Sequence, residues 1–318
     1  MWPVVIAHRG ASGYLPEHTL AAKLLAHEMG ADYLEQDVVA TRDDQLVVLH
    51  DIHLDRVTDV AERFPGRERA DGRFYVRDFD LEELRSLQAW ERMHADGTPV
   101  YPGRYPPKTG DFPLHTLAEE IEFIKRLNEE TGRVAGIFPE IKRPAWHRGE
   151  GIDISPLLLD MLEQAGYRGH DDPVYVQCFD DAELRRLRHE LGCPYRLLQL
   201  IGANIWKEAE TDCDAMTTEA GLEQLAATVD AIGPWLQFAY EIERADATPV
   251  SSGLVRRAKN VGLEVHPYTF RADDLPMGFG DFAELVLFFA EQLEVDGLFT
   301  DFPDLTREAL ASAATPAT

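Results

Sequence analysis

Three carboxylates end short apolar runs in the first half of the chain: Glu35, Asp37 and Glu140. Glu35 and Asp37 are two residues apart in a strand-like segment, so their side chains project to the same face. Three hard oxygen ligands suit Mg²⁺ or Ca²⁺ rather than zinc, which prefers nitrogen and sulfur. Because clustered carboxylates repel one another unless a cation lies between them, the pattern indicates a divalent metal site.

Cationic and imidazole side chains also lie at the ends of apolar runs. His8 and Arg9 follow the first apolar run, and His50 ends another. Lys142 comes two residues after Glu140. The two cationic side chains suit a phosphoryl oxygen, and the two imidazoles, with an ordinary pKa of about 6.5, suit a base and an acid. The combination predicts cleavage of a phosphoester.

Each of these residues also has a purely structural interpretation, which is favoured when the residue is taken singly. His50 is compatible with a satisfied core histidine, and Glu140 with Lys142 is compatible with an ion pair inside a packed layer. The functional interpretation is favoured for the set, because all of its members end apolar runs.

The elements that must position these side chains alternate between strands and helices. The predicted strands are 4–7, 33–38, 135–138, 174–177, 196–200, 230–232, 263–266 and 297–300. The predicted helices are 19–29, 116–130, 155–164, 181–191, 253–261 and 282–293. About eight such units predict an α/β fold, a closed (β/α)8 TIM barrel whose strand ends share one mouth. A doubly wound sheet is the alternative, but no GxGxxG motif follows the first strand.

One stretch, residues 54–112, interrupts this alternation with clustered charge, glycine and proline. Within it, 81–87 has the pattern of a short amphipathic helix. We therefore expect a single catalytic barrel domain over 1–318 with 54–112 as an insertion. Two interpretations of the insertion stay open: it covers the active face and helps to choose substrates, or it is a surface feature without chemical consequence.

The net charge of the chain limits the classes of partner that it is expected to bind. The 31 lysines and arginines against 57 aspartates and glutamates give a net charge of −26, which repels nucleic acid and anionic lipid surfaces. No apolar run reaches the roughly 20 residues of a membrane span. The three cysteines, without CxxC spacing, predict neither a disulfide framework nor a zinc ribbon. The expected partner is a small molecule, and no pattern indicates an oligomeric state.

Eight ordered motifs run nearly from end to end: His8-Arg9-Gly10, Pro16-Glu17-His18-Thr19, Glu35-Gln36-Asp37-Val38, His50-Asp51, Pro139-Glu140-Ile141-Lys142, Gln177-Cys178-Phe179-Asp180, His266-Pro267-Tyr268-Thr269 and 297–304. Together they resemble the glycerophosphodiester phosphodiesterases, and among these the long, periplasmic bacterial type. The resemblance implies a phospholipase C-like barrel that hydrolyses glycerophosphodiesters, such as glycerophosphocholine and glycerophosphoethanolamine, to sn-glycerol 3-phosphate and an alcohol.

The resemblance also implies roles for individual residues. Glu35, Asp37 and Glu140 would bind one divalent cation, with Ca²⁺ favoured over Mg²⁺. His8 and His50 would be the acid and the base. The implied substrate contacts are Arg9, Lys142, Glu17, Phe179, Tyr268 and Phe302. We interpret His18 as a residue at a helix start rather than as a third catalytic imidazole.

Two alternative activities and two locations stay open. A lysophospholipid-cleaving lipase of the same barrel would need an apolar trough, and a glycoside hydrolase would use a carboxylate pair such as Glu35 and Glu140. The resemblance implies a periplasmic location. Since no signal peptide precedes the first strand, the expectation is either a removed leader or a cytoplasmic protein.

Overall fold

Eight parallel strands form the centre of the computed structural model, which describes residues 2–242 and 248–314. The strands in chain order are β1 (Val4–Ala7), β2 (Tyr33–Ala40), β3 (Leu46–Val48), β4 (Gly136–Ile141), β5 (Tyr175–Cys178), β6 (Arg196–Ile201), β7 (Ala231–Pro234), β8 (Tyr240–Glu241), β9 (Val250–Ser251), β10 (Glu264–Val265) and β11 (Gly297–Thr300). Neighbours around the centre follow the order β1, β2, β4, β5, β6, β7, β10, β11. β3 pairs antiparallel with the end of β2, and β8 pairs with β9 in a separate small sheet.

The sheet closes on itself between β10 and β11. The Asp296 N–H donates to the Val265 carbonyl at 2.9 Å, and the Phe299 N–H donates to the Pro267 carbonyl at 3.1 Å. The predicted barrel is therefore confirmed, and the doubly wound alternative is excluded. β10 is shorter than the predicted strand, which covers 263–266. Pro267, the residue after the predicted strand, has no N–H with which to continue the ladder.

The helices pack outside the barrel in the alternation that the sequence predicts. They are α1 (Leu20–Glu28), α2 (Val60–Arg63), α3 (Leu81–Arg85), α4 (Leu117–Thr131), α5 (Pro144–Gly149), α6 (Ile154–Gln164), α7 (Asp181–His189), α8 (Cys213–Met216), α9 (Glu219–Ala226), α10 (Leu254–Asn260), α11 (Phe282–Leu287) and α12 (Pro303–Ala314). The helix predicted over 282–293 is split, because α11 continues as a π-helical turn over Phe288–Gln292. None of the described helices combines the length and the apolar character that crossing a membrane requires.

Residues 54–112 have a small core of their own. α2, α3 and a 3₁₀ turn over Val76–Asp78 lie in this stretch, and α3 falls where the amphipathic pattern predicts a helix. Apolar side chains such as Phe79 and Leu84 pack with Val39 of β2 and Val47 of β3 in one buried cluster. The stretch is therefore anchored to the barrel at the ends of these two strands.

A cluster of apolar side chains fills the barrel interior below the strand ends. Phe138 of β4 is fully buried there, stacks on Tyr175 with 4.5 Å between ring centroids, and meets the Phe299 ring at 5.0 Å. We expect Phe138→Ala to lower the free energy of unfolding by about 3–5 kcal/mol, since it removes buried area and leaves a cavity. Denaturant unfolding measures the loss.

The matched control is Val134→Ala, four residues earlier and 74 % exposed. We expect it to change the free energy of unfolding by no more than about 0.5 kcal/mol. A loss below about 1 kcal/mol for Phe138→Ala would contradict the packed interior.

Candidate active site

The three predicted metal-binding carboxylates meet at the carboxyl ends of β2 and β4. The register of the two strands places Asp37 beside Glu140. Glu35 lies two residues before Asp37 in β2, so its side chain is on the same face of the sheet. All three are buried, and ligand atoms of Glu35, Asp37 and His18 lie within 4.8 Å of one another. The barrel thus brings together carboxylates that are about a hundred residues apart in the chain.

Two cationic side chains lie against these carboxylates. The Lys142 Nζ is 2.8 Å from Glu140 Oε1 and 3.7 Å from Asp37 Oδ1. The Arg9 Nε is 3.5 Å from Asp37 Oδ2, and the main-chain N–H of Arg9 donates to Glu35 Oε2 at 2.6 Å. Arg9 adopts a left-handed φ of 59°, which turns the chain sharply just after β1. Arg9 and Lys142 are therefore held at the carboxylate cluster as the sequence predicts.

The electrostatics of this cluster suit a bound cation. Burial and the neighbouring Asp37 raise the pKa of Glu35 to about 8, and burial raises the pKa of Glu140 well above its usual range. Burial acts on Asp37 in the same direction, but the charges of Lys142 and of nearby imidazoles hold the pKa of Asp37 well below its usual range. The buried Asp37 Oδ1 has no hydrogen-bond partner among the described residues. An oxygen-rich site with an unpartnered carboxylate oxygen fits a hard divalent cation.

His8 is paired with a carboxylate from the other end of the chain. It follows β1, and its Nδ1 is 2.6 Å from Asp301 Oδ1, just after the neighbouring strand β11. Arg104 and Arg271 each donate to Asp301 Oδ2 at 2.8 Å. The tautomer that donates from Nδ1 to this carboxylate would leave Nε2 as a proton acceptor.

His50 has the same arrangement from a different part of the chain. Its Nδ1 is 2.8 Å from Asp51 Oδ1, and Arg92 donates to Asp51 Oδ2 at 2.6 Å. Arg92 also binds Glu17, which in turn accepts a bond from Arg9 at 3.0 Å. In both candidate catalytic imidazoles, Nδ1 is thus paired with a carboxylate, and an arginine donates to that carboxylate.

Both imidazoles are neutral near pH 7. Burial and the charge of Arg9 lower the pKa of His8 to about 4. Burial, Arg9 and Lys142 lower the pKa of His50 to about 3. Each side chain is therefore ready to accept a proton, and each imidazolium, once formed, faces a stabilising aspartate.

A cavity of about 250 Å³ opens in front of these groups, and we call it the first cavity. His8, Arg9 and His50 line one side of it together with Glu35 and Glu140. The lining also has an aromatic part, which we call the aromatic wall: Phe179, Trp206, Trp235, Tyr268 and Phe299. One cavity therefore joins the acidic cluster, both imidazoles and the aromatic wall.

Two of the three predicted aromatic contacts lie at this wall. The rings of Phe179 and Tyr268 are 6.1 Å apart, edge to face. Phe302 differs from the expectation, because it does not line the first cavity. Its ring packs 5.2 Å from Tyr14 and over Gly13, where an added Cβ would come within 2.5 Å of it. Phe302 lies two residues beyond the end of β11, so the alternation of the strand does not set the direction of its side chain.

The structure also assigns contacts to residues that the sequence interpretation left without a role. His18 does precede Thr19, the N-cap of α1, as interpreted, but its Nε2 also lies 2.6 Å from Asp37 Oδ2. Asp51 and Asp301 belong to the motifs His50-Asp51 and 297–304. Their positions beside strand ends are the feature of the sequence that could have indicated their contacts with the two histidines. No pattern distinguishes the arginines of 54–112 that reach the site.

Comparison with known proteins identifies the family. The family model "Glycerophosphoryl diester phosphodiesterase family" matches residues 8–305. A glycerophosphodiester phosphodiesterase of Haemophilus influenzae is 42 % identical, over 96 % of this chain and 89 % of the relative. One from Treponema pallidum is 39 % identical, over 98 % of this chain and 92 % of the relative.

Solved structures show the same fold. A putative glycerophosphoryl diester phosphodiesterase from Silicibacter pomeroyi has a TM-score of 0.73 at 23 % identity, over 98 % of this chain and 94 % of that chain. A phosphodiesterase from Oleispira antarctica, in complex with the product sn-glycerol-3-phosphate, has a TM-score of 0.66 at 22 % identity, over 98 % and 97 %. The resemblance in the motifs is confirmed, and the chain belongs to the glycerophosphoryl diester phosphodiesterase family.

Proposed function

We propose that the protein hydrolyses glycerophosphodiesters to sn-glycerol 3-phosphate and an alcohol at the first cavity. The observation that carries this proposal is that both histidines of the two histidine–aspartate pairs line one cavity together with Glu35 and Glu140, and that Asp37 lies beside Glu140. Two relatives, at 42 % and 39 % identity over nearly the whole chain, are named glycerophosphodiester phosphodiesterases. The phosphodiesterase from Oleispira antarctica, which has the same fold, is in complex with sn-glycerol-3-phosphate.

In this proposal Glu35, Asp37 and Glu140 bind one divalent cation, with Ca²⁺ favoured over Mg²⁺. Such a cation, when bound, polarises the phosphoryl group and offsets its negative charge. The contact from His18 to Asp37 Oδ2 fixes that carboxylate and leaves Oδ1 for the ion. Hydrogen bonds of this kind, from a neighbouring residue to a metal-binding side chain, orient metal ligands in proteins.

Arg9 and Lys142 bind the phosphoryl oxygens in this scheme. Arg9 lines the first cavity and is held by Glu17 and by the carboxylate cluster. Lys142 is buried against Glu140. Positive charge placed here in advance stabilises charge that develops on phosphorus, and it overcomes locally the acidic field of a chain with a net charge of −26.

His8 and His50 move the protons. One removes the proton from the nucleophile, which is water or a neighbouring hydroxyl of the substrate, and the other protonates the departing alkoxide. Both imidazoles are neutral without substrate, so the acid takes up its proton as the anionic phosphodiester binds between them. Asp51 and Asp301 stabilise the resulting imidazolium ions and keep each ring in orientation.

We also propose that residues 54–112 form an insertion within one catalytic domain and serve the active face. Arg92 and Arg104 come from this stretch, and each donates to an aspartate that holds a catalytic histidine. These contacts favour the interpretation in which the insertion supports catalysis over the one in which it has no chemical consequence.

One alternative keeps a specific observation in its favour. Trp206 lines the first cavity, and the neighbouring Ile205 is 84 % exposed. An apolar rim of this kind suits an acyl chain, as a lysophospholipid-cleaving lipase would need. A glycoside hydrolase mechanism, by contrast, would leave both histidine–aspartate pairs without a function.

A coupled assay for released sn-glycerol 3-phosphate tests the proposed function. The substrates are glycerophosphocholine, glycerophosphoethanolamine and glycerophosphoglycerol, with lysophosphatidylcholine as the lipase substrate and Ca²⁺ or Mg²⁺ supplied. We expect product from the first three and, in a choline-release assay, at least about tenfold lower kcat/KM for the lysolipid. Turnover of the lysolipid alone would support the lipase, and absence of turnover on all four would contradict the proposal.

A further inference from the structure

A second cavity adjoins both candidate catalytic histidines and is lined in part by residues of the 54–112 stretch. Its volume is about 150 Å³, and it shares His8, Arg9, His50 and Arg271 with the first cavity. Glu91 and Tyr101, both from the 54–112 stretch, also line it. A phosphodiester held between the two imidazoles has two ester arms. Two cavities that share both imidazoles offer one space for each arm.

The arginines that line the second cavity already have carboxylate partners. Arg9 binds Glu17, Arg92 binds Glu17 and Asp51, Arg104 binds Asp301 and Asp273, and Arg271 binds Asp301. Every one of these ion pairs is 3.0 Å or shorter. The positive charge on this wall is therefore matched within the protein.

Glu91 is the exception among the carboxylates of this cavity. The residue is 4 % exposed, and its Oε2 is buried without a hydrogen-bond partner among the described residues. Burial and the nearby Glu17 raise the pKa of Glu91 to about 7. The Arg92 main chain and the charge of Arg104 act on this carboxylate, but Oε2 itself is left without a donor. A buried carboxylate oxygen without a donor is costly, and a ligand that brings both N–H donors and positive charge would remove that cost.

We propose that the second cavity binds the leaving alcohol and that Glu91 selects alcohols that carry an ammonium group, such as ethanolamine. This inference rests on the proposed function, since it assigns the second ester arm of the same substrate. An ammonium group donates to Glu91 Oε2 and pairs with its charge in a site that excludes most water. Glu91 is thus a specificity residue, and the reaction itself is left to the histidines.

A matched pair of substrates tests the selection. Glycerophosphoethanolamine is compared with the n-propyl ester of sn-glycerol 3-phosphate, in which a methyl group replaces the ammonium. We expect the wild-type kcat/KM to favour the ethanolamine ester by at least about tenfold, the size of one good charge-assisted bond. In Glu91→Gln we expect this ratio to fall to within about twofold of one.

The control variant is Glu82→Gln, in the same stretch but with a side chain that is 87 % exposed. Its substrate ratio should equal that of the wild type. A second measurement needs no variant: free ethanolamine should inhibit the wild-type enzyme at concentrations at least about tenfold lower than 1-propanol does. Unfolding temperatures of both variants are recorded, so that a folding defect is recognised.

Two outcomes of the ester comparison overturn the selection while leaving the proposed function intact. One is wild-type turnover of both esters without preference, and the other is a preference that Glu91→Gln leaves unchanged. Equal inhibition by ethanolamine and 1-propanol also overturns it. If the wild-type enzyme releases sn-glycerol 3-phosphate from neither ester nor from glycerophosphoglycerol, the proposed function fails, and this inference falls with it.

Discussion

Replacing His8 or His50 by alanine lowers kcat for glycerophosphocholine by about 10²–10⁴-fold, the usual contribution of a general acid or base. Each imidazole has a free Nε2 at the first cavity and an aspartate behind Nδ1, so neither can substitute for the other. Steady-state kinetics with coupled detection of sn-glycerol 3-phosphate measures kcat and KM separately. We expect the loss mainly in kcat, because the phosphate contacts from Arg9 and Lys142 remain.

His170→Ala is the control for this experiment, because its side chain is 60 % exposed and lies outside both cavities. It should keep the kinetic constants of the wild type. The double variant His8→Ala/His50→Ala should lose much less than the product of the single losses, since the two groups act as one unit. If either single variant kept kcat within about threefold of the wild type, the assigned role of that histidine would be wrong.

Removing divalent metal ions with EDTA lowers the rate of sn-glycerol 3-phosphate release by about 10³-fold or more, and added Ca²⁺ restores it. A cation among three carboxylates contributes several kcal/mol of charge stabilisation, and each 1.4 kcal/mol is a factor of ten. Titration of the chelated enzyme with Ca²⁺ and with Mg²⁺ compares the two ions directly. Full activity after exhaustive chelation would contradict the proposed metal site.

Thermal unfolding gives a readout of the same site that does not depend on activity. A ligand at about 100 times its Kd stabilises the folded state by about 2.7 kcal/mol, so Ca²⁺ should raise the Tm of the chelated protein. Asp37→Asn should abolish this shift, because Asp37 supplies the unpartnered buried oxygen. Glu122→Gln, at an exposed position of α4, should retain it. An equal shift in both variants would place the ion elsewhere.

The arginines of residues 54–112 give this stretch a physical connection to the chemistry. Arg104 holds Asp301, and Arg92 holds Asp51, so the orientation of both imidazoles depends on a part of the chain outside the regular barrel. The same stretch supplies Glu91 to the second cavity. In the proposed scheme, residues 54–112 thus supply both the arginines that orient the two histidines and a candidate specificity residue.

The sequence by itself determined the barrel strands and the residues that end them. Strand periodicity is local, and it placed Glu35 and Asp37 on one face before any contact was known. Because parallel strands share a carboxyl edge, the same reasoning also brought His8, Glu140 and Lys142 to the mouth.

Only the tertiary structure decided the partners of these residues. Asp301 lies 293 residues from His8 in the chain, and the two meet because β11 pairs with β1 when the barrel closes. Arg104 lies outside the regular helices and strands, so no periodic pattern predicts where its side chain points. Only the packing of its segment determines that position. Phe302 does not line the first cavity for the same reason, since the direction of a residue beyond a strand end depends on the turn that follows. Periodic local geometry is encoded residue by residue, whereas contacts across loops depend on how the whole chain packs.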